Sequence, residues 1–106
     1  MIFLTLNKVN YQLINNYINS IYKDDRLSYF EYLEKISSFI SKNKCEISKD
    51  IIENLIKNNS NFSLIINDIV SNTKYLDYVS NPISIKIIDA YFECKQNDLY
   101  AEFSYD

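Results

Sequence analysis

Two short segments hold the residue types from which catalysis could be built. Asp24 and Asp25 stand side by side before Arg26, the only arginine. Paired carboxylates can bind Mg²⁺ or transfer protons, but both uses need further ligands or partners. Ser48 precedes Lys49, yet adjacent residues at a helix start point in different directions, which excludes a Ser-Lys dyad. We expect both segments to cap helices, and we predict no catalytic residue, metal site or cofactor.

The residue types that are missing exclude most enzyme classes. The 106-residue chain contains no Gly and no His. Without Gly there is no phosphate-binding loop or nucleophile elbow, and without His the usual general base and most zinc sites are lost. Cys45 and Cys94 lie far apart in unrelated contexts, so we expect two reduced thiols, with Cys94 buried, rather than a disulfide. We therefore predict that the protein is not an enzyme.

The distribution of apolar residues argues against membrane insertion. The run from Met1 to Leu4 meets polar Asn7 and Lys8 almost at once, which makes it too short for a signal peptide or a span. Hydrophobic residues make up 47% of the chain, and aromatic residues make up 15%. We expect one globular domain over residues 1–106 in a soluble, cytoplasmic protein, with its oligomeric state left open.

Helical spacing predicts four short amphipathic helices before residue 81. The first covers residues 8–23 with Asn7 as its N-cap, and the second runs from Arg26 to about Lys42 and is capped by Asp24-Asp25. The third begins after Ser48, and the fourth covers roughly residues 61–71. Thr73 caps a last short turn. The residues expected in the core are Val9, Leu13, Ile14, Tyr17, Ile18 and Ile21, then Leu27, Phe30, Leu33, Ile36 (or Ser37) and Ile40, then Ile51, Ile52, Leu55 and Ile56, and finally Phe62, Ile65, Ile66 and Ile69.

The end of the chain shows an alternating pattern instead. Apolar residues occupy every second position in two runs: Ile88, Ala90, Phe92 and Cys94, then Leu99, Ala101, Phe103 and Tyr105. A two-residue turn at Gln96-Asn97 would bring inward residues opposite one another, as a hairpin with one buried face requires. We therefore predict an α+β fold, mainly α, of about four helices and a C-terminal β-hairpin. The alternation of Ile2, Leu4 and Leu6 is compatible with a third strand.

A helix beginning at Pro82 is the competing interpretation of this segment. Asn81 is a good N-cap, and proline is favoured at the first helical position. The apolar stripe of that helix would be Ile83, Ile87, Tyr91 and Cys94. The sequence leaves both interpretations of residues 83–95 open.

Negative charge is concentrated in the same C-terminal segment. Residues 1–86 hold ten Lys or Arg against nine Asp or Glu, whereas residues 87–106 hold five acidic residues against Lys95 alone. Their balances are therefore +1 and −4. On a hairpin, the outward residues would form two acid–tyrosine pairs, Tyr91 with Glu102 and Glu93 with Tyr100, which suit a basic protein surface. The predicted partner-binding residues are Asp89, Tyr91, Glu93, Asp98, Tyr100 and Glu102. The alternative is a solvated face that protects an edge strand from aggregation.

These features favour a protein-binding role over nucleic-acid binding. The chain has one arginine, scattered lysines and a sequence pI of about 4.9. These features do not suit a surface that binds the phosphate backbone of a nucleic acid, so we expect no direct nucleic-acid contact. Our functional hypothesis is a small acidic inhibitor that covers the basic site of a nucleic-acid-acting enzyme. An immunity protein against a nuclease toxin, an antitoxin and a phage inhibitor of a defence effector all fit. The alternative is a non-catalytic subunit or scaffold piece of a larger assembly, which predicts a large exposed apolar patch.

Overall fold

Six α-helices follow one another along the chain. The computed structural model describes the backbone of residues 2–103 and the side chains of residues 8–72 and 74–96. The helices are α1 (Ile2–Ile21), α2 (Tyr29–Lys42), α3 (Lys49–Asn58), α4 (Ser60–Ser71), α5 (Thr73–Tyr78) and α6 (Pro82–Phe103). Residues 2–103 contain no strand, so the fold is all-α and the predicted α+β fold is wrong.

Side-chain caps define where the middle helices begin. Ser28 forms a full capping box with Glu31, in which each side chain accepts a hydrogen bond from the other residue's backbone N–H. Ser48 accepts from the Ile51 N–H at 3.3 Å, which confirms the predicted start of α3. Asn59 ends α3 and begins α4. Such caps satisfy N–H groups that have no partner inside the helix.

Three predicted caps are placed differently by the structure. Asp24 and Asp25 lie in the connection before Ser28, so they do not cap α2. Asn72, one residue before the predicted Thr73, caps α5. Asn7 lies inside α1, which already begins at Ile2. Helix α1 therefore begins before Asn7, on its N-terminal side.

The predicted hairpin is replaced by the helix α6. The side chain of Asn81 accepts a hydrogen bond from the Ile83 N–H at 2.8 Å, and Pro82 occupies the first helical position. The proposed turn at Gln96-Asn97 lies within this helix, and Ile2–Leu6, the suggested third strand, lies within α1. Tyr105, the last predicted strand residue, is outside the described part of the chain. The interpretation based on the Asn81-Pro82 start signal is therefore the correct one.

One hydrophobic cluster joins five of the helices. Its fully buried members include Ile14 and Ile18 of α1, Leu33 of α2, Leu55 of α3 and Phe62 of α4, and α6 adds Ile87. Burying a side chain of this size stabilises a protein by about 1.5–3 kcal/mol. Helix α2 packs on α1, α4 and α6, and α3 packs on α1, α4 and α6, so these two helices hold α6 in place.

Part of the predicted apolar stripe of α1 does not join this core. Val9 and Leu13, predicted to be buried, are 50% and 46% exposed, whereas Ile14 and Ile18 are fully buried. The expected apolar stripe is therefore wider than the face that α2, α3 and α4 cover. Of the helices in the described part of the chain, none is both long and apolar enough to cross a membrane.

Candidate functional site

All six residues predicted to bind a partner belong to α6. Helix geometry places Tyr91 on a different side from Asp89 and Glu93. Asp89 and Glu93 are exposed, but Tyr91 is only 4% exposed. The Tyr91 hydroxyl donates a hydrogen bond to Asn67 Oδ1 at 3.0 Å. Its expected outward position, and its expected pairing with Glu102 across a hairpin, are therefore wrong. Tyr91 is a core residue that joins α6 to α4.

The other three predicted residues lie outside the described side chains. Asp98, Tyr100 and Glu102 belong to the sequence of α6, whose side chains are described as far as Gln96.

Glu93 is held by a lysine from the neighbouring helix. Lys49, the first residue of α3, donates a hydrogen bond from Nζ to Glu93 Oε1 at 2.6 Å. This contact raises the pKa of the Lys49 ammonium. Both side chains are about half exposed, so the ion pair contributes little to stability and can exchange partners. A small groove beside the pair also contains Lys86 and Asp89, so lysines and carboxylates are mixed here.

Helix geometry creates a surface that the hairpin interpretation missed. Ile85, Asp89 and Phe92 are four and three residues apart, which places them on one side of an α-helix. Ile85 is 42% exposed and Phe92 is 45% exposed. Together with the adjacent Glu93, these residues form what we call the α6 face. The alternation had placed Phe92 inward, and only the helical period reveals this surface.

A second surface lies between α1 and α2. Tyr17 stacks on Phe39 with ring centroids 4.1 Å apart and ring planes at 15°. The rings line an open groove of about 560 Å³ together with Lys35, Lys42 and Glu34. Both rings are partly buried against the core. Since the two rings already stack on each other, this geometry fits a structural contact.

The segments considered for catalysis have structural roles. Arg26 donates from Nε to Asp24 Oδ1 at 3.0 Å and lowers the pKa of that carboxyl group. The Arg26 side chain is 86% exposed, so the contact is a surface ion pair. The Ser48 hydroxyl caps α3 while Lys49 reaches Glu93, so the two side chains do not form a dyad.

The described residues contain no group of three or more potential metal-ligating side chains. Cys45 and Cys94 are not joined by a disulfide, and Cys94 is buried as expected. Burial raises the pKa of the Cys45 thiol, which lowers its thiolate fraction.

Comparison of the chain with protein families, with curated proteins and with solved structures found no match.

Proposed function

We propose that this protein is a non-catalytic, cytoplasmic inhibitor that binds a positively charged site on an enzyme acting on nucleic acids. A role as an immunity protein, an antitoxin or a phage anti-defence protein would fit this activity. The observation that carries the proposal is the α6 face, where Ile85 and Phe92 expose apolar area beside Asp89 and Glu93. Partly exposed apolar side chains flanked by charge are typical of protein-binding surfaces.

The electrostatics of α6 support a basic partner. The sequence from residue 87 onward carries a balance of −4, of which −3 belongs to residues 87–103 of α6. The last turn of that helix contains no basic residue. Negative charge near a helix C-terminus is unfavourable because it adds to the negative end of the helix dipole. A basic partner would relieve this repulsion and would also be attracted at long range, which speeds association.

The ion pair between Lys49 and Glu93 is compatible with this role. A half-exposed pair is worth about 0–1 kcal/mol. A partner's Arg or Lys can therefore replace Lys49 at the Glu93 carboxylate at small cost. Asp89 has no ion pair among the described residues, so we expect it to be the first carboxylate on this face to meet a partner.

The test is affinity capture followed by an inhibition assay. The full chain is used to capture proteins from the source cells, in parallel with an I85S/F92S variant and with L64S, which changes an exposed leucine on α4 instead. We expect the wild type and L64S to retain a nucleic-acid-acting enzyme and to inhibit it. The I85S/F92S variant should lose both properties while keeping its helical circular dichroism spectrum.

Salt dependence provides the second measurement. If the α6 face meets a basic site, D89K should slow association and weaken its dependence on salt. Capture of a partner that has no activity on nucleic acids would reject the inhibitor role. Unchanged inhibition by I85S/F92S would reject the α6 face as the binding surface.

A subunit or scaffold role is a second candidate, favoured by one separate observation. Val9 and Leu13 are exposed on α1 and line a nearly apolar groove with Lys8, Gln12 and Asn16. A subunit of an assembly needs such an uncovered apolar surface. If this role is correct, V9S/L13S should abolish incorporation into the assembly, whereas I85S/F92S should leave it intact.

A further inference from the structure

Helix α1 has an exposed apolar surface on the side that does not face the core. Val9 is 50% exposed and Leu13 is 46% exposed, whereas Ile14 and Ile18 are completely buried. Consecutive residues of an α-helix are about 100° apart around its axis, so Val9 and Leu13 lie on one side and the two isoleucines lie on another. The core therefore takes up one side of α1 and leaves the other side to the exterior.

The groove on this exposed side has the layout that receives a side chain from another helix. Its volume is about 350 Å³, and the described residues that line it are Lys8 and the four that we call the α1 face: Val9, Gln12, Leu13 and Asn16. In a coiled coil, residues i, i+3, i+4 and i+7 of one helix form the hole that accepts an apolar side chain of the facing helix. The α1 face has this spacing, so the groove is shaped for a helix.

The apolar positions of α1 also repeat with the period of a coiled coil. Val9 and Leu13 are four residues apart, and Ile2 and Leu6 continue the row toward the N-terminus at spacings of four and three. Spacings that alternate between three and four residues define the seam along which two helices pack. A facing helix can therefore follow this row for about three turns.

The charge of α1 indicates what kind of helix can face it. Lys8 is the only charged residue among the 20 residues of α1, whereas the 14-residue helix α2 has four. The side of a helix that faces water is normally rich in charged residues. A highly charged partner helix would lose hydration of its charges here and gain almost no opposite charge. The complementary surface is therefore another helix that is nearly uncharged.

A second copy of α1 meets these requirements. It presents the same apolar row, and it brings one lysine as its only charge. On α6, by contrast, Asp89 lies between the exposed residues Ile85 and Phe92. Two identical faces pack around a two-fold axis, and such an interface closes at two copies instead of forming a filament.

We propose that the protein forms a homodimer in which the α1 faces of two copies pack against each other. The 20-residue helix is about 30 Å long and 10 Å wide. A single pair of such helices buries less than the roughly 2,000 Å² or more that is typical of permanent dimers, so the dimer is weak and reversible. The proposal goes beyond the inhibitor role and does not involve the α6 face.

The experiment is sedimentation equilibrium of the purified full chain from micromolar to millimolar concentration. We expect the wild type to show a reversible monomer–dimer equilibrium. V9S/L13S removes apolar area from both copies, so it should weaken dimerisation by roughly tenfold or more. The matched I85S/F92S variant removes exposed apolar area from α6 instead and should change the dimerisation constant by less than about twofold. Circular dichroism checks that both variants remain helical.

Salt and methyl NMR spectra identify the contact. Higher salt would weaken a dimer held by lysines and carboxylates, whereas the α1 dimer should be unchanged or strengthened by sodium sulfate. The methyl signals of Val9 and Leu13 should shift with protein concentration, and those of Ile85 should not. A wild type that stays monomeric over the whole range would overturn the proposal. Equal effects of the two variants, or association that sulfate weakens, would also overturn it.

Discussion

Ser37 of α2 and Ser84 of α6 share a hydrogen bond of 2.6 Å between their hydroxyl oxygens, and both residues are completely buried. Apart from these two serines and Asn59, the buried residues in the described part of the chain are all hydrophobic. A buried hydroxyl without a partner costs about 1–3 kcal/mol, so each serine needs the other. The pair thereby favours one alignment of α6 against α2.

The first prediction concerns this pair. S84A should lower the free energy of unfolding by about 1–3 kcal/mol, because it leaves the Ser37 hydroxyl buried without its partner. The double variant S37A/S84A should cost less than the sum of the two single variants, since neither hydroxyl then remains. Urea denaturation measures all three. The control S38A, at an exposed position of α2, should change the free energy of unfolding by less than about 0.5 kcal/mol. Additive costs would show that the two hydroxyls do not depend on each other.

The second prediction tests the start of α6. N81A removes the acceptor for the Ile83 N–H and should cost about 1 kcal/mol, the usual value of an N-cap. N16A, at an exposed position inside α1, is the matched control and should be neutral or slightly stabilising because Ala favours helices. Secondary chemical shifts of residues 83–95 should be uniformly helical. Strand-like shifts in that range would contradict α6.

The third prediction concerns Asn59, which is 4% exposed and has two roles. Its Oδ1 caps α4, while its Nδ2 donates to Asn15 Oδ1 at 2.7 Å and to Asn19 Oδ1 at 3.3 Å. N59S keeps a capping oxygen but loses the amide donors, so it should cost about 1–3 kcal/mol. N59A also loses the cap and should cost about 1 kcal/mol more.

Chemical denaturation checks the order of these two variants. N54A, which changes an exposed asparagine on α3, is the control and should have a much smaller effect. If N59S were as stable as the wild type, the contacts of Asn59 with α1 would contribute nothing to stability.

The fourth prediction concerns pH and the tyrosines beside the connection between α1 and α2. A hydrogen bond to Tyr29 raises the pKa of Tyr22, with burial as the next cause. Burial raises the pKa of Tyr32, whose hydroxyl donates to the backbone carbonyl of Asp24. In the unfolded chain a tyrosine titrates near pH 10. Between that pH and the raised pKa, the folded state binds more protons, so stability should fall as the pH rises through this range.

Tyrosinate absorbance in native and denatured protein measures this effect directly. Some tyrosines should ionise at higher pH in the native protein than in the denatured chain. Y32F should reduce the alkaline loss of stability, whereas Y78F, at a position 69% exposed, should not. Identical titration of the native and denatured protein would contradict the raised pKa values.

Local signals in the sequence predicted several helix boundaries correctly. Ser48 caps α3 as expected, and Asn81 with Pro82 begins α6 as the competing interpretation required. Caps are readable because their hydrogen bonds join residues two or three positions apart. Asp24 and Asp25 looked like equally good caps, but the helix begins four residues after Asp25, at the capping box of Ser28. Helix α2 therefore begins where Ser28 and Glu31 can form both hydrogen bonds of a capping box.

The C-terminal segment could not be decided from its pattern of apolar residues. Ile88, Ala90 and Cys94 are buried in the helix, as they would have been on the inner face of a hairpin. The two interpretations differ at neighbouring positions, since the hairpin buries Phe92 and the helix buries Tyr91. Apolar character favours Phe92, but the helical period places Tyr91 on the buried side of α6, where Asn67 accepts a hydrogen bond from its hydroxyl. A contact between residues so far apart in sequence is not visible in a local pattern.

The amino-acid sequence by itself determined what chemistry is unavailable, since a chain without Gly or His lacks glycine-rich loops and histidine catalysis. It also determined where most of the helices lie, because helical periodicity and caps are local properties. Only the tertiary structure decided which faces remain uncovered. Val9 and Leu13 of α1, and Ile85 and Phe92 of α6, are apolar yet exposed, while Ser37 and Ser84 are polar yet buried. Burial of a side chain depends on which helices pack around it, and that packing is set by the whole chain.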